Sequence, residues 1–344
     1  MEDLKLKRET LLSGLEAMRL REGEYRWCAD DYIRRRKCPN SSSSEKVVMG
    51  LNQVIDFRTN IINWFNNMCD RCGFDQTTVF TAVNTLDRFM AVGGHTVDSN
   101  KGSFSFYLLA AAASFYTIAK IHEHSAVPVE VLAKLSGGSF TVDQIESMER
   151  KLLSTLGWIV NPVTPQAVAH HLLSLWSFDN LKVQQVVSEL TTLQLDAVVY
   201  DYDLCRCSSS STLAASALWN AVDSLALEDP EPLNRFFHVL ETAMGWEFLL
   251  PSDRCNTPTE KNAIFALEQV RQRLYEVFSH REAQSSGKTA SAATMTPPTP
   301  LAMPSGDNSC LHGDETHSPD KDLRIVMEKS SPKSVLVEAA SMDC

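Results

Sequence analysis

The sequence predicts an all-α protein: two five-helix domains in tandem, followed by a disordered C-terminal tail. Three observations carry this. The stretch Phe104–Ala119 (FSFYLLAAAASFYTIA) has no charge, Gly or Pro and is apolar on every side. A helix of that kind must be buried all round. Elsewhere apolar residues recur at helical spacing between capping residues and glycines. Residues 283–344 contain no Trp, Phe or Tyr and are rich in Ser, Thr, Pro and Asp, so they bury too little apolar surface to fold alone.

Residues 1–45 read as an N-terminal helix and linker. Trp27, Tyr32 and Ile33 supply the apolar face of a short helix. Arg34-Arg35-Arg36-Lys37 follows, then Pro39 and Ser41–Ser44. That basic run is either a solvated cluster or a nuclear import signal. Residues 46–160 form the first domain. Phe57, Ile61, Trp64, Phe65 and Met68 share one helix face. Gly73 ends that helix, and Asp75 caps the next, whose face is Val79, Val83, Leu86 and Met90 and which closes at Gly93-Gly94. The apolar stretch comes third. At about sixteen residues it falls short of the ~20 that a bilayer span needs, and Ala110–Ala113 let neighbouring helices pack close. A short fourth helix starts near Pro128 and stops at Gly137-Gly138. Thr141 with Gln144 makes a capping box for the fifth. Ile145, Met148, Leu152 and Leu156 form its face, and Gly157 ends it.

Residues 161–282 repeat this order of helix lengths. Thr164-Pro165 starts a helix carrying His170 and His171. A longer helix spans 181–200, and the Ala-rich SSTLAASALW (Ser210–Trp219) is the counterpart of Phe104–Ala119. Helices follow near Pro232–Ala243 and Thr257–His280, the last with Thr257 and Glu260 as a capping box. The period is too long for a solenoid; it reads as two copies of one fold.

Composition narrows the function. The chain has 344 residues and a net charge of −11, which argues against nucleic acid as the main partner. Nine scattered cysteines, and no apolar leader after Met1, suggest a reduced, intracellular, soluble protein with no membrane contact. Cys69 and Cys72 have zinc-like spacing but no second pair, so neither metal nor cofactor is expected. No phosphate loop, G-x-S-x-G, H-E-x-x-H or paired-carboxylate motif occurs. The expectation is a binding module rather than an enzyme.

Charges set in apolar faces are more telling. Arg58 and Asp87 sit on the first two helices; left alone, either would be costly to bury, so they should pair and lock the helices in register. Lys120 and Glu149 stand at neighbouring positions on the third and fifth helices. They form either a rim salt bridge or a pair suited to bond a partner's backbone. In the tail, Thr296, Thr299, Ser318 and Ser331 each precede Pro and are candidate phosphosites.

Taken together these segments resemble the cyclin family. FRTNIINWF is similar to the cyclin-box opening, VNTLDRFM to its N-Y-L-D-R-F-L signature and LAAAASFYTIAKIHE to the central helix ending S-K-Y-E-E. FTVDQIESMERKLLSTLGW resembles the segment with Met-Glu in mid-helix. The Trp158 and Thr164-Pro165 passage looks most like D-type cyclins. The likeness covers about residues 20–280.

The resemblance implies a regulatory subunit that binds and activates a cyclin-dependent protein kinase, in G1/S-type progression, located in nucleus and cytoplasm. A transcription-linked cyclin or cyclin-fold transcription factor is the alternative. By motif position it assigns kinase contact to Lys120, Glu149, Phe115, Tyr116, Ile121, Leu152 and Trp158. It makes Arg58 and Asp87 the internal buried pair, and leaves a weakened substrate-docking groove at Phe57, Ile61 and Trp64, with Asn60 where an apolar residue is common. Asn63 and His122 replace residues that are usually acidic. The Leu-x-Cys-x-Glu motif and a convincing N-terminal destruction box are absent. Turnover is therefore expected through the phosphorylated tail and a ubiquitin ligase.

Overall fold

The computed structural model describes residues 2–24, 32–33, 51–93, 101–125, 127–136, 138–176, 181–224, 231–244 and 260–286. Among these there are helices and turns and no strand. They fall into two compact units: α2–α6 with Tyr32 and Ile33, and α1 with α7–α12.

In the first unit α2 is Leu51–Cys72, α3 Gln76–Val92, α4 Lys101–His122, α5 Val129–Leu135 and α6 Val142–Thr155. Local chemistry sets these boundaries. Gly73 takes a φ of 68°, a left-handed turn that glycine adopts without steric cost. Asp75 then accepts the Thr77 N–H at 2.7 Å and starts α3. Thr141 and Gln144 satisfy each other's backbone N–H groups at 3.3 and 2.9 Å to start α6. The axis is α4, against which α2, α3, α5 and α6 pack. Its Ala110–Ala113 run is at most 2 % exposed, because methyl side chains admit close neighbours. By length and composition α4 is apolar enough to cross a membrane; more than half of that stretch is buried within the protein.

Arg58 of α2 and Asp87 of α3 pair as the sequence predicts. Arg58 Nη2 lies 2.7 Å from Asp87 Oδ2, with both residues at most 2 % exposed. Tyr32 completes the site by donating to Asp87 Oδ1 at 2.6 Å, and its hydroxyl lies 3.4 Å from that of Tyr107. Burial, and then the Asp87 charge, push both phenols well above the ordinary tyrosine range. Here the structure corrects the reading of residues 1–45. Tyr32 and Ile33 are buried in a turn rather than forming a helix face, and Trp27 lies outside the described residues.

A further correction concerns the N-terminus. Glu2–Glu24 form the long helix α1, which packs on α7 (Pro165–Leu175) and α11 (Glu231–Met244) of the second unit. Leu15 is its buried contact. The Gly14 backbone passes so close to His171 that a Cβ there would meet the ring at 3.2 Å. The Glu22 carboxylate accepts the Ser211 N–H at 2.7 Å and its hydroxyl at 2.8 Å, capping α10 (Ser210–Asp223). Arg21 donates to the Asn161 carbonyl at 3.1 Å.

The remaining elements are α8 (Leu181–Ala197), which tightens into a turn at Val198–Tyr200, α9 (Tyr202–Cys207) and α12 (Glu260–Ser286). Thr164 caps α7, with Pro165 in its first turn. The Ala-rich α10 is the second buried axis, lying against α7, α8 and α12. Beyond α1, this unit repeats the five-helix order with the short α9 added. Thr257 and the tail phosphosites Thr296, Thr299, Ser318 and Ser331 lie outside the described residues.

Candidate functional site

The first unit brings one pair of charges to its surface among apolar side chains. Lys120 lies in the last turn of α4 and Glu149 in the second half of α6. Lys120 Nζ sits 3.0 and 3.1 Å from the two Glu149 oxygens. The lysine side chain is 41 % exposed and the glutamate 12 %. Thr117, one turn earlier on α4, brings its hydroxyl to 3.3 Å from Glu149 Oε1, and the Tyr116 ring lies 4.6 Å from the ammonium. Burial alone would lower the Lys120 pKa, but the hydrogen bond and charge of Glu149, then Tyr116, outweigh it and hold the ammonium above its ordinary value. The pair is thus a fixed feature whose lysine stays an ammonium and has one face open to solvent.

Trp158 shows how the chain presents an apolar group just past the end of α6. After α6, Gly157 and Trp158 both take left-handed backbone, with φ of 58° and 65°. Gly157 N–H bonds the Ser154 carbonyl at 3.3 Å and Trp158 N–H the Leu153 carbonyl at 2.9 Å, a Schellman closure. In that motif the residue at the position of Trp158 usually packs back on the helix; here the indole is 73 % exposed. A non-glycine residue held left-handed costs on the order of 1–3 kcal/mol, and such strain clusters at functional sites. Ile121, at the end of α4, is 48 % exposed.

Two residues drop out of the predicted contact set. Phe115 and Leu152 are 0 % exposed. Phe115 packs its ring 5.1 Å from that of Phe65. Both are fully buried, so a partner cannot reach them without unpacking the first unit. Tyr116 is half-buried and its ring is engaged by Lys120. The docking groove is likewise reduced. Ile61 is 4 % exposed, and Phe57 lies against Phe104 at 4.3 Å. Trp64 packs on the core cluster of Leu132, Phe140 and Ile145.

The sequence reading missed Thr117. Its signal was a hydroxyl facing inward on an otherwise apolar helix, three residues before Lys120.

Outside this site the chemistry is sparse. Among the described residues no three His, Cys, Asp or Glu side chains are grouped to hold a metal ion. Burial, then Glu123, pushes the Cys72 thiol up to about 11 and that of its buried neighbour Cys69 higher still, so neither is a ready nucleophile.

Against known proteins, residues 31–161 match the family model described as the cyclin N-terminal domain. That span holds Tyr32, Arg58, Asp87, Lys120, Glu149 and Trp158. Residues 31–161 are a cyclin box. Its relatives include G1/S-specific cyclin-E1 of Gallus gallus, 26 % identical over 47 % of this chain and 40 % of the relative. The G2/mitotic-specific cyclin-A of Spisula solidissima is 26 % identical over 64 % and 49 %. Cyclin-D3-2 of Arabidopsis thaliana is 30 % identical over 39 % and 35 %. The matched part of this cyclin-box protein spans half or less of each relative, and the matches spread over E, A and D types.

Among solved structures, a viral cyclin from herpesvirus saimiri aligns with a TM-score of 0.52 at 16 % identity, over 78 % of this chain and 99 % of that one. A chain of the CAK complex of Chaetomium thermophilum aligns at 0.51 and 13 % identity, over 82 % and 78 %. At those identities the likeness shows the fold, and the all-helical cyclin architecture expected from the sequence is the one observed.

Proposed function

We propose that this cyclin-box protein is a regulatory subunit that binds and activates a cyclin-dependent serine/threonine kinase and supplies no catalytic group itself. The observation that carries the proposal is the Lys120–Glu149 pair, fixed at 3.0 Å, with Ile121 exposed in the next residue of α4 and Trp158 exposed just past the end of α6. An ion pair with one open face offers both a donor and an acceptor to a partner's backbone. Exposed apolar groups at the ends of the same two helices supply area that association needs.

A kinase transfers phosphate only when its Lys–Glu ion pair and its metal-binding Asp are aligned. A rigid helical surface that binds the aligned form better than the other shifts the population toward it by that difference in affinity. The buried Arg58–Asp87–Tyr32 lock and the packed α4 axis keep such a surface stiff. We place the activity in G1/S-type progression, on the D-type character of the Trp158 and Thr164-Pro165 passage. We assign it to nucleus and cytoplasm on the Arg34–Lys37 run, with turnover through phosphorylation near Thr296 and Thr299 and a ubiquitin ligase.

The test is capture of the tagged protein from dividing cells, followed by a kinase assay on the bound fraction. Lys120→Ala and Glu149→Ala should each reduce the captured activity about tenfold or more, the scale of a lost charged hydrogen bond. Undiminished activity in the double variant overturns the site.

A further inference from the structure

Glu149 Oε1 has two donors within reach, and they compete. Lys120 Nζ lies at 3.0 Å and Thr117 Oγ1 at 3.3 Å. The Thr117 hydroxyl also lies 2.8 Å from the Ala113 carbonyl oxygen. A hydroxyl has a single proton to give. With Lys120 in place, the shorter contact to Ala113 takes it. Thr117 is 2 % exposed, between Tyr116 and the buried Ile118, where valine would fill the same volume. The Ala113 carbonyl gains little from the hydroxyl, because it already accepts the helical N–H four residues on.

We propose that Thr117 is a positioning residue, a reserve donor that turns its proton to Glu149 when Lys120 swings its ammonium toward a partner. Only the hydroxyl torsion changes; no heavy atom moves. Glu149 is buried enough that losing a donor is costly. A second donor in waiting removes much of that cost at the moment of binding, and holds the carboxylate in its place for the partner's own donor. The partner half of this rests on the kinase-binding reading above.

A partner-free thermal cycle tests the device first. Thr117→Val alone should leave the melting temperature nearly unchanged. On a Lys120→Met background, which deprives Glu149 of its main donor, the same change should lower it by about a further 2–4 °C. Thr117→Ser, which keeps the hydroxyl, should not, and Glu149→Gln should abolish the difference between backgrounds. Equal shifts on both backgrounds, or a difference that survives Glu149→Gln, overturn the proposal.

Captured kinase activity is the second readout. Thr117→Val should weaken it about tenfold, with rescue by Thr117→Ser. If the unaltered protein captures no kinase, the kinase reading fails while the thermal cycle still decides Thr117. If capture is normal and the cycle is additive, Thr117 fails alone.

Discussion

Arg58–Asp87 and Lys120–Glu149 are two ion pairs of nearly the same length, 2.7 and 3.0 Å, joining helices of one unit. Their surroundings differ. The first pair is 3 % and 0 % exposed and has a tyrosine hydroxyl on the carboxylate. The second is 41 % and 12 % exposed, with a threonine hydroxyl in reach. Identical chemistry therefore does two jobs. Where water is excluded, breaking the pair strands a charge, so the pair fixes one packing arrangement. Where water reaches one side, the pair adds little to stability and leaves its lysine open to solvent.

That contrast is broken most severely at Arg58. Arg58→Ala leaves Asp87 buried and uncompensated, and should cost about 3–5 kcal/mol, much of a typical stability margin. Denaturant unfolding measures it, and a loss under ~1 kcal/mol would mean that the interior pair behaves like the rim pair. Tyr32→Phe should come next, at roughly 1.5–3 kcal/mol for a hydrogen bond to a charged acceptor.

The same variant carries a pH signature. In the unfolded chain tyrosine ionises near 10, whereas in the fold burial and then Asp87 keep Tyr32 protonated well beyond that. Above about pH 10 the unfolded state therefore holds fewer protons. The stability from Tyr32 is complete below that pH and is lost as pH rises through the raised folded value. Cys72, raised from 9.0 to about 11 by burial, adds a fall that begins nearer pH 9. Tyr32→Phe should make the alkaline loss shallower; an unchanged slope would separate Tyr32 from the buried pair.

Thr141→Ala should remove about 1 kcal/mol, as the loss of an N-cap does. Lys120→Ala should cost least, at most about 1 kcal/mol after solvent screening, while reducing captured kinase activity about tenfold or more. A large stability loss there would make the rim pair a second structural lock.

Sequence reasoning reached features whose cause is local. Asp75, Thr141 and Thr164 cap helices through neighbours two or three residues away, and Gly73 and Gly157 turn the chain by their own φ. The interior pair was legible for a related reason: unlike charges on apolar faces have few ways to be satisfied. Helix α1 was not legible, because its polar residues surround the helix and several of its docking contacts, at Gly14, Arg21 and Glu22, are not apolar. No apolar stripe announces such a helix. Phe115 and Leu152 were misplaced because a matching motif position says which residue is present, not how deep the packing of this chain sets it. Tyr32 joins the Arg58–Asp87 site from 55 residues away, a distance that helical periodicity does not span.

The Glu22 cap joins residues 189 positions apart. Helix α1, made before Ser211, thus waits for its partner about 10–40 s at ordinary rates of synthesis. Through that interval α2–α6 can assemble around their own axis while α1 has nothing to dock on. For these helices birth order and folding order are opposed: α1 is made before α2–α6 and finds its seat after them.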